Sequence, residues 1–278
     1  MTAPGRFLEA RAKRNEAQAA VLGLPFDGSV SWRNGAAGAP PEIRLASQSI
    51  ESYSPVTGRD LEDLVLADLG DVALSGATPR EAMDIIANEV ERIAGEGVFL
   101  VSLGGDHSVS IGTTAGMRRI HQDLTHVVFD AHFDLRESYD GSDLSHACGT
   151  RHMAANGMTS VLGVRSGSRE EYQDAPKLLA YHDEAVALPP DVRKLYDGKP
   201  VFLSVDLDVL DPATFPGTGN PEPGGPSYKE LRSALLSLEG LNVVGIDLVE
   251  AAPGLDASGL TAVVAAELCR ELLLTFTR

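Results

Sequence analysis

Short apolar runs that end in Gly, Asp or Pro recur along this chain and alternate with longer stretches of helical period. Runs of this kind are typical of parallel strands that are buried on both faces, and such a sheet needs helices on both sides. The sequence therefore predicts a three-layer α/β/α fold with a mostly parallel sheet. We expect strands at residues 19–24, 64–69, 97–103, 125–129, 159–164, 200–205 and 242–248.

Two capping boxes mark helix starts in the sequence. Thr78 and Glu81 enclose a Pro at the first helical position and predict a helix that ends near Ala94. Ser227 and Glu230 repeat this signature, and a last helix is expected over about residues 258–275. The remaining long segments, 25–42, 136–150 and 211–226, are predicted loops, which inside a compact domain are usually functional.

The whole chain is expected to form one domain, residues 1–278, because no repeat or linker divides it. Its formal net charge of -17 opposes binding to nucleic acid or to an anionic membrane surface and favours cationic small molecules. Cys148 and Cys269 stand far apart in no metal-binding pattern, which fits a reducing compartment. Without a signal peptide or a run of spanning length, the protein is expected to be cytoplasmic.

Metal-ligand spacing at the ends of two predicted strands is the strongest functional signal. Asp130, His132 and Asp134 occupy every second position and therefore point to one side of an extended segment. Asp206 and Asp208 repeat this spacing after another buried run. Any one of these aspartates could be a turn former or a helix cap, but the joint pattern favours a metal site.

His107 adds a sixth candidate ligand, because it follows a Gly-Gly turn at the end of a predicted strand. Taken alone, it could equally be a core histidine. Carboxylates that converged without a cation would repel each other and lose solvation. Four carboxylates and two imidazoles can hold two divalent cations that share ligands, as in metal-dependent hydrolases. This donor set suits Mn²⁺, with Co²⁺, Fe²⁺, Ni²⁺ or Zn²⁺ as alternatives.

Other strand-end chemistries fit the sequence less well. The segment 206–211 lacks the Gly and the distal Glu of an EF-hand calcium loop. A phosphatase built on an Asp-x-Asp strand end would leave the Asp-x-His-x-Asp motif unexplained. The sequence has neither the Gly-x-Ser-x-Gly of a serine hydrolase nor a dinucleotide fingerprint.

These motifs, in this order and across nearly the whole chain, resemble those of the ureohydrolase (arginase and agmatinase) family. Members of that family hydrolyse guanidino groups to urea at a paired manganese centre. The resemblance implies an arginase-like fold and two ligand sets that share Asp130 and Asp206: His107, Asp130, Asp134 and Asp206 for one metal, and Asp130, His132, Asp206 and Asp208 for the other. It also implies a homotrimer or homohexamer, with Arg165 and the C-terminal helix as places for subunit contacts.

Three residues resemble family groups that act on the substrate. Glu250 looks like the glutamate that holds the guanidinium, and a carboxylate can accept two parallel hydrogen bonds from that planar cation. His146 resembles a loop histidine that is a proposed proton shuttle, and imidazole can protonate a leaving amine near neutral pH. Asp208 is expected to hydrogen-bond the nucleophile. The alternatives are a structural salt bridge for Glu250 and an exposed loop position without a role for His146.

Substrate choice depends on residues around these groups. By the family resemblance, Arg136 stands at a position where arginases carry an amide side chain. Arginine is therefore a less favoured substrate. Asn220 and Glu222 lie in a loop that looks like that of agmatinases, and Glu222 could meet the far ammonium of agmatine. Arg136 would welcome a carboxylate tail if it faced the cleft, but would have no such role if it paired with Glu137 or Asp140. We expect a small cationic guanidino substrate, agmatine first, then guanidinobutyrate or another ω-guanidino acid, then arginine or formiminoglutamate.

Two hypotheses from other classes stay open at this stage. A relative could keep the metal ligands and bind a partner without turnover. A deacetylase of related architecture would hold one zinc and would not need all six ligands. Metal stoichiometry separates these hypotheses, because a ureohydrolase is expected to bind two ions per chain.

Overall fold

One eight-stranded sheet forms the centre of the computed structural model, which describes residues 5–277. Residues 1–4 and 278 of the expected single domain lie outside the described residues. The strands are β1 (Ala19–Gly23), β2 (Tyr53–Ser54), β3 (Arg59–Asp60), β4 (Leu66–Asp71), β5 (Phe99–Leu103), β6 (Thr125–Phe129), β7 (Thr159–Leu162), β8 (Tyr181–Asp183), β9 (Pro200–Asp206) and β10 (Asn242–Val249). Across the sheet their order is β4-β1-β5-β10-β9-β6-β7-β8, and all neighbours pair in parallel. The short strands β2 and β3 form a separate antiparallel pair.

Helices cover both faces of this sheet. They are α1 (Ala39–Ser47), α2 (Pro79–Ala94), α3 (Val109–Ile120), α4 (Gly149–Asn156), α5 (Arg169–Leu178), α6 (Pro190–Arg193), α7 (Tyr228–Leu236) and α8 (Leu260–Phe276). Alternate residues of a strand enter different cores because strand side chains alternate between faces. In β1, Ala19 and Val21 share a core with residues of α1, α7 and α8, whereas Ala20 and Leu22 pack with residues of α2 and α3. The predicted three-layer α/β/α fold is confirmed.

Capping boxes begin three of these helices. Thr78, Ser168 and Ser227 each accept a hydrogen bond from the N–H of a glutamate three residues later, whose side chain accepts one in return. The sequence predicted the first and the third of these helices. The starts of these two helices, the end of α2 and both ends of α8 agree with the prediction to within about two residues, the usual uncertainty of helix ends.

The structure corrects several local predictions. The expected loop 25–42 ends earlier, because α1 begins at Ala39 and its prolines, Pro40 and Pro41, occupy the first turn, where their missing N–H groups cost nothing. Helix α4 likewise begins inside the expected loop 136–150. Strand β8 and helices α3, α5 and α6 were not predicted; β8 has only three residues, too few for a periodic pattern.

Two places expected to contact other subunits also have contacts inside the chain, and their role between subunits stays a prediction. The Arg165 guanidinium donates hydrogen bonds to backbone carbonyls, including those of Gly163, Val209 and Glu222. Helix α8 is buried along most of its length against its own chain. In residues 5–277 no helix combines the length and the apolar character needed to cross a membrane.

Candidate metal centre

Four neighbouring strands, β5, β10, β9 and β6, end side by side at one edge of the sheet. Because they are parallel, the residues that follow them converge at that edge. His107 lies in the turn after β5, and Asp130 directly follows β6. Asp206 is the last residue of β9, and Glu250 directly follows β10. Residues far apart in the chain therefore meet because their strands are neighbours.

A first cluster has His107 at its centre. The Nδ1 atom of His107 lies 3.0 Å from Asp134 Oδ2 and 3.1 Å from Asp130 Oδ2. Asp206 Oδ2 lies 3.3 Å from the same nitrogen. All four residues are buried, and each offers a ligand atom within 4.8 Å of the others. The four residues predicted for one metal therefore face a common point.

A second cluster adjoins the first. His132 Nδ1 lies 2.9 Å from Asp208 Oδ2 and 3.7 Å from Asp130 Oδ1. These three residues form another group that could hold a metal ion, so Asp130 belongs to both clusters. Among residues 5–277, Asp206 joins only the first group, and its expected bridging role stays a prediction.

The first cluster fits a cation because its hydrogen bonds leave lone pairs facing each other. His107 Nε2 lies 3.0 Å from Ser204 Oγ, and the Ser204 hydroxyl donates to Asp247 Oδ1 at 2.6 Å. Because Ser204 has one hydrogen, its oxygen must accept from Nε2–H, which leaves Nδ1 of His107 without a proton. Buried His107 Nδ1 and Asp130 Oδ2 have no hydrogen-bond partner. A divalent cation would satisfy both atoms.

The pKa values of the cluster show the same need for positive charge. Burial and the charges of Asp208 and Asp130 raise the pKa of Asp206 well above its ordinary value. Burial would lower the pKa of His132, but Asp208 and Asp130 outweigh it and raise that pKa far above the usual range. Burial would raise the pKa of Asp130, yet His107 and His132 in their protonated forms lower it to about 2. Bound cations would supply the charge that protons supply otherwise.

Glu250 lies against the turn that carries His107. Its Oε1 accepts a hydrogen bond from the His107 backbone N–H at 2.7 Å, so its partner is not the Lys or Arg of a structural salt bridge. Burial and the charges of Asp106 and Asp208 raise the pKa of Glu250 well above its ordinary value. The backbone of Glu250 is left-handed, with φ 61°, as is that of Asp134 with φ 50°. Strain of this kind is concentrated at functional sites.

A cleft of about 310 Å³ opens onto both clusters. Its acidic lining residues are Asp134, Glu171, Asp206, Asp208 and Glu250, beside one arginine, Arg136. Such a lining suits a small cation better than an anion. Another cavity, of about 490 Å³ beside α3 and α4, has no carboxylate among its lining residues and is less suited to a cation.

His146 lines this cleft and is buried rather than exposed. It begins a short 3₁₀ turn whose cap is Ser145. Its backbone N–H donates to Ser29 Oγ at 2.8 Å, and its Nδ1 lies 2.5 Å from the Ser29 carbonyl oxygen. His146 is therefore not at an exposed loop position, and its role in proton transfer stays a prediction.

Arg136 lines the cleft but pairs with neither Glu137 nor Asp140. Its Nε lies 3.7 Å from the buried Glu171 carboxylate, and its guanidinium carbon lies 5.3 Å from the centre of the Tyr139 ring. Glu137 pairs with Arg151 instead. The neighbouring Glu171 offsets part of the charge that Arg136 brings to the cleft.

The two other residues expected to contact substrate lie at or beside the cleft. Asn220 lines it and donates from Nδ2 to Ser31 Oγ at 3.0 Å. Glu222 accepts a hydrogen bond from Ser166 Oγ at 2.9 Å, and its Oε1 lies 3.8 Å from His132 Nε2. Glu222 is therefore held beside the second cluster rather than free in solvent.

Sequence reasoning missed the residues that support the ligands. Ser204 and Asp247 carried a usable signal, because each is a polar residue inside a buried strand, where it needs a partner. Asp106 is a buried acid next to a ligand, which is a similar signal. Ser29 and Glu171 carried none, since their contacts join segments distant in sequence.

Known proteins match this chain along nearly its full length. The model of the arginase family matches residues 17–275. The agmatinase of Bacillus subtilis (strain 168) is 39% identical over 279 residues, covering 98% of this chain and 96% of that protein. A guanidinobutyrase of Pseudomonas aeruginosa is 31% identical and covers 96% of this chain and 88% of that protein. The solved agmatine ureohydrolase of Thermoplasma volcanium has a TM-score of 0.88 at 31% identity, covering 99% of this chain and 95% of that one.

Proposed function

The chain belongs to the arginase family, and from that premise we propose that it hydrolyses the guanidino group of agmatine to urea and putrescine. The observation that carries this proposal is the pair of His/Asp clusters that share Asp130, with the Glu250 carboxylate beside them. The similarity to agmatinases over nearly the whole chain supports the choice of substrate.

The six side chains of the two clusters are proposed to hold two divalent cations per chain, and the mixed carboxylate and imidazole donors favour Mn²⁺ over Co²⁺, Fe²⁺, Ni²⁺ or Zn²⁺. One ion would be held by His107, Asp130, Asp134 and Asp206, and the other by Asp130, His132, Asp206 and Asp208. When bound, such a pair lowers the pKa of water and makes hydroxide available near neutral pH.

The remaining residues of the cleft are proposed to orient the substrate and move protons. Glu250 accepts two N–H groups of the guanidinium and fixes its plane against the clusters. Asp208 accepts a hydrogen bond from the attacking oxygen and directs its proton towards the leaving nitrogen. His146 protonates that nitrogen as the carbon–nitrogen bond breaks, so that urea and a free amine leave.

Agmatine is proposed ahead of guanidinobutyrate because Glu171 and Glu250 line the cleft in addition to the aspartates of the clusters, whose charge two divalent cations would offset. Glu171 offsets the charge of Arg136, and Glu222 lies beside the cleft, where it can meet a distal ammonium. Asn220 is proposed to contact the substrate tail. Arg136 supports guanidinobutyrate as a second candidate, because it lines the cleft and its guanidinium could bind a carboxylate.

The test is urea release by the manganese-loaded protein, compared as kcat/KM for agmatine, guanidinobutyrate, guanidinopropionate and arginine. We expect agmatine to be preferred. Preference for guanidinobutyrate, lost in Arg136→Gln, would reassign the substrate and keep the chemistry. Urea from none of these compounds, with two metals bound, would contradict the proposed activity.

Residues 1–278 are further proposed to act as one cytoplasmic domain in polyamine synthesis and to assemble as a homotrimer or homohexamer. Support for the compartment comes from Cys148 and Cys269, which are buried free thiols. The oligomeric state rests on the family resemblance, and light scattering coupled to size exclusion would test it.

A further inference from the structure

Asp106 is a buried carboxylate in the turn after β5 that is not among the metal-binding clusters. Its Oδ2 accepts hydrogen bonds from the backbone N–H and the hydroxyl of Ser29, both at 2.9 Å. Its Oδ1 accepts from the N–H and the hydroxyl of Ser108. These four donors satisfy both carboxylate oxygens without a cation.

Ser29 connects Asp106 to His146. Because the Ser29 hydroxyl hydrogen is donated to Asp106, its oxygen is free to accept the backbone N–H of His146 at 2.8 Å. The Ser29 carbonyl oxygen lies 2.5 Å from His146 Nδ1. A carbonyl can only accept, so Nδ1 carries the proton and Nε2 is left with a lone pair in the neutral ring.

We propose that Asp106 is a positioning residue that acts through Ser29 to fix the orientation and the tautomer of His146. This inference rests on the proposed function, in which His146 handles the proton of the leaving amine. With Nδ1 protonated, Nε2 can take the proton that water loses on forming hydroxide and later give it to the leaving amine. The remaining proton of the attacking oxygen is the one that Asp208 directs to the same nitrogen. The Nδ1 proton stays in place throughout, so the ring ends as it began.

The same turn also holds the other proposed active groups. The neighbouring His107 provides a metal-facing nitrogen and, through its backbone N–H, a hydrogen bond to Glu250. The Glu250 backbone N–H in turn donates to the Gly105 carbonyl at 2.8 Å. Asp106 thus connects the segment 26–31, and through it His146, to the turn that positions Glu250.

The test compares Ser29→Ala and Asp106→Asn with wild type in the manganese-loaded protein. General acid–base groups contribute on the order of 10²–10⁴ in rate, so loss of positioning should lower kcat by about tenfold or more. We expect KM within about twofold of wild type and two metals retained, because binding and ligation are untouched. Ser29→Thr keeps a hydroxyl and should restore most of kcat.

Double variants decide whether the residues act in series. Adding Ser29→Ala to Asp106→Asn, or to His146→Gln, should cause little further loss of kcat. Additive losses, or loss of metal in Asp106→Asn, would overturn the proposal in favour of a structural role. Ser227→Ala is the matched control, since it removes a hydroxyl–carboxylate bond to Glu230 far along the chain from the cleft segments.

A measurement independent of turnover separates this proposal from the proposed function. Diethyl pyrocarbonate modifies accessible histidines, and mass spectrometry can follow His146 with His152 as internal reference. We expect Ser29→Ala to raise the relative rate at His146 several-fold and Ser227→Ala to leave it unchanged. An unchanged rate in Ser29→Ala would overturn the positioning role. If modification of His146 is faster in Ser29→Ala but the wild-type protein releases no urea, the positioning role stands and the proposed function fails.

Discussion

At the residue scale, Glu250 uses one acceptor site on Oε1 for the His107 N–H, and the other acceptor sites of its carboxylate are available to a substrate. The variant Glu250→Gln keeps an oxygen for that bond but presents an NH₂ group where the guanidinium needs an acceptor. We expect two metals per chain to remain and kcat/KM to fall by about 10² or more, since a charge-assisted bidentate pair is lost. Metal analysis and urea release measure the two effects. Full activity in the remetallated variant would rule out this role for Glu250.

The carboxyl groups of the site have different pKa values in the folded and unfolded chain, and this difference predicts how stability changes with pH. Burial and neighbouring charges raise the pKa of Asp134, Asp206 and Glu250 above their values in an unfolded chain. Groups whose pKa is raised by folding stabilise the folded state at low pH and lose that contribution as pH rises. Asp130 has a lowered pKa and acts in the opposite direction, as do acids outside the clusters such as Asp174 and Asp256. Their contribution is complete once pH is above the ordinary carboxyl pKa of about 4, so it does not change at higher pH.

The metal-free protein should therefore lose thermal stability as pH rises above about 4, the ordinary carboxyl pKa. Added Mn²⁺ should restore it, so the gain in Tm on adding metal should grow between about pH 5.5 and pH 8. Thermal melts with and without metal at each pH measure this gain. A gain that shrinks with rising pH would contradict the proposed charge balance.

Much of the candidate site could be predicted at this scale because local spacing carries it. The spacing of Asp130, His132 and Asp134 predicts ligands that approach the same place, and a strand does end just before them. The residues that orient the ligands could not be found in this way. Ser204 and Ser29 act through contacts with residues on other strands and loops, and a single sequence contains no record of those pairs.

At the element scale, strand positions were predictable and short helices were not. Buried parallel strands such as β6 and β9 leave near-continuous apolar runs. Helices α4 and α5 have 8 and 10 residues, which gives an amphipathic pattern too few turns to stand out. The start of α1 was predicted as a loop for another reason. Its prolines, which usually indicate a loop, lie in the first turn of the helix.

The turn after β5 depends on a glycine that lies against another backbone. A Cβ atom on Gly105 would lie 1.6 Å from the Phe26 carbonyl oxygen. Because that oxygen belongs to the main chain, the clash can be relieved only if the backbone moves. Gly105→Ala should therefore destabilise the protein by about 1–3 kcal/mol and weaken metal retention, because the turn carries His107. Chemical unfolding and metal analysis measure these effects.

Gly38→Ala is the matched control, since a Cβ there meets nothing within 4 Å and φ is -80°. We expect this variant to keep wild-type stability to within about 0.5–1 kcal/mol, the range of ordinary Gly-to-Ala effects. Equal stability losses in both variants would contradict the role given to the close approach at Gly105.

At the scale of the whole molecule, the net charge of -17 and the acidic cleft act in the same direction. Agmatine carries two positive charges near neutral pH, whereas guanidinobutyrate is a zwitterion. Raising ionic strength from about 0.05 M to 0.5 M shortens the Debye length to below about 5 Å and screens long-range attraction. The kcat/KM for agmatine should fall several-fold while that for guanidinobutyrate changes by less than about twofold. Equal salt dependence for both substrates would contradict electrostatic steering.

The central claim is that the two clusters would hold two divalent cations and that the site loaded in this way hydrolyses guanidines. It is tested most directly by titrating metal-free protein with Mn²⁺ and measuring urea release from agmatine alongside bound metal. Our account predicts that urea release rises with metal loading and reaches its plateau at two Mn²⁺ per chain. A plateau at one ion per chain, or no urea at two, would contradict it.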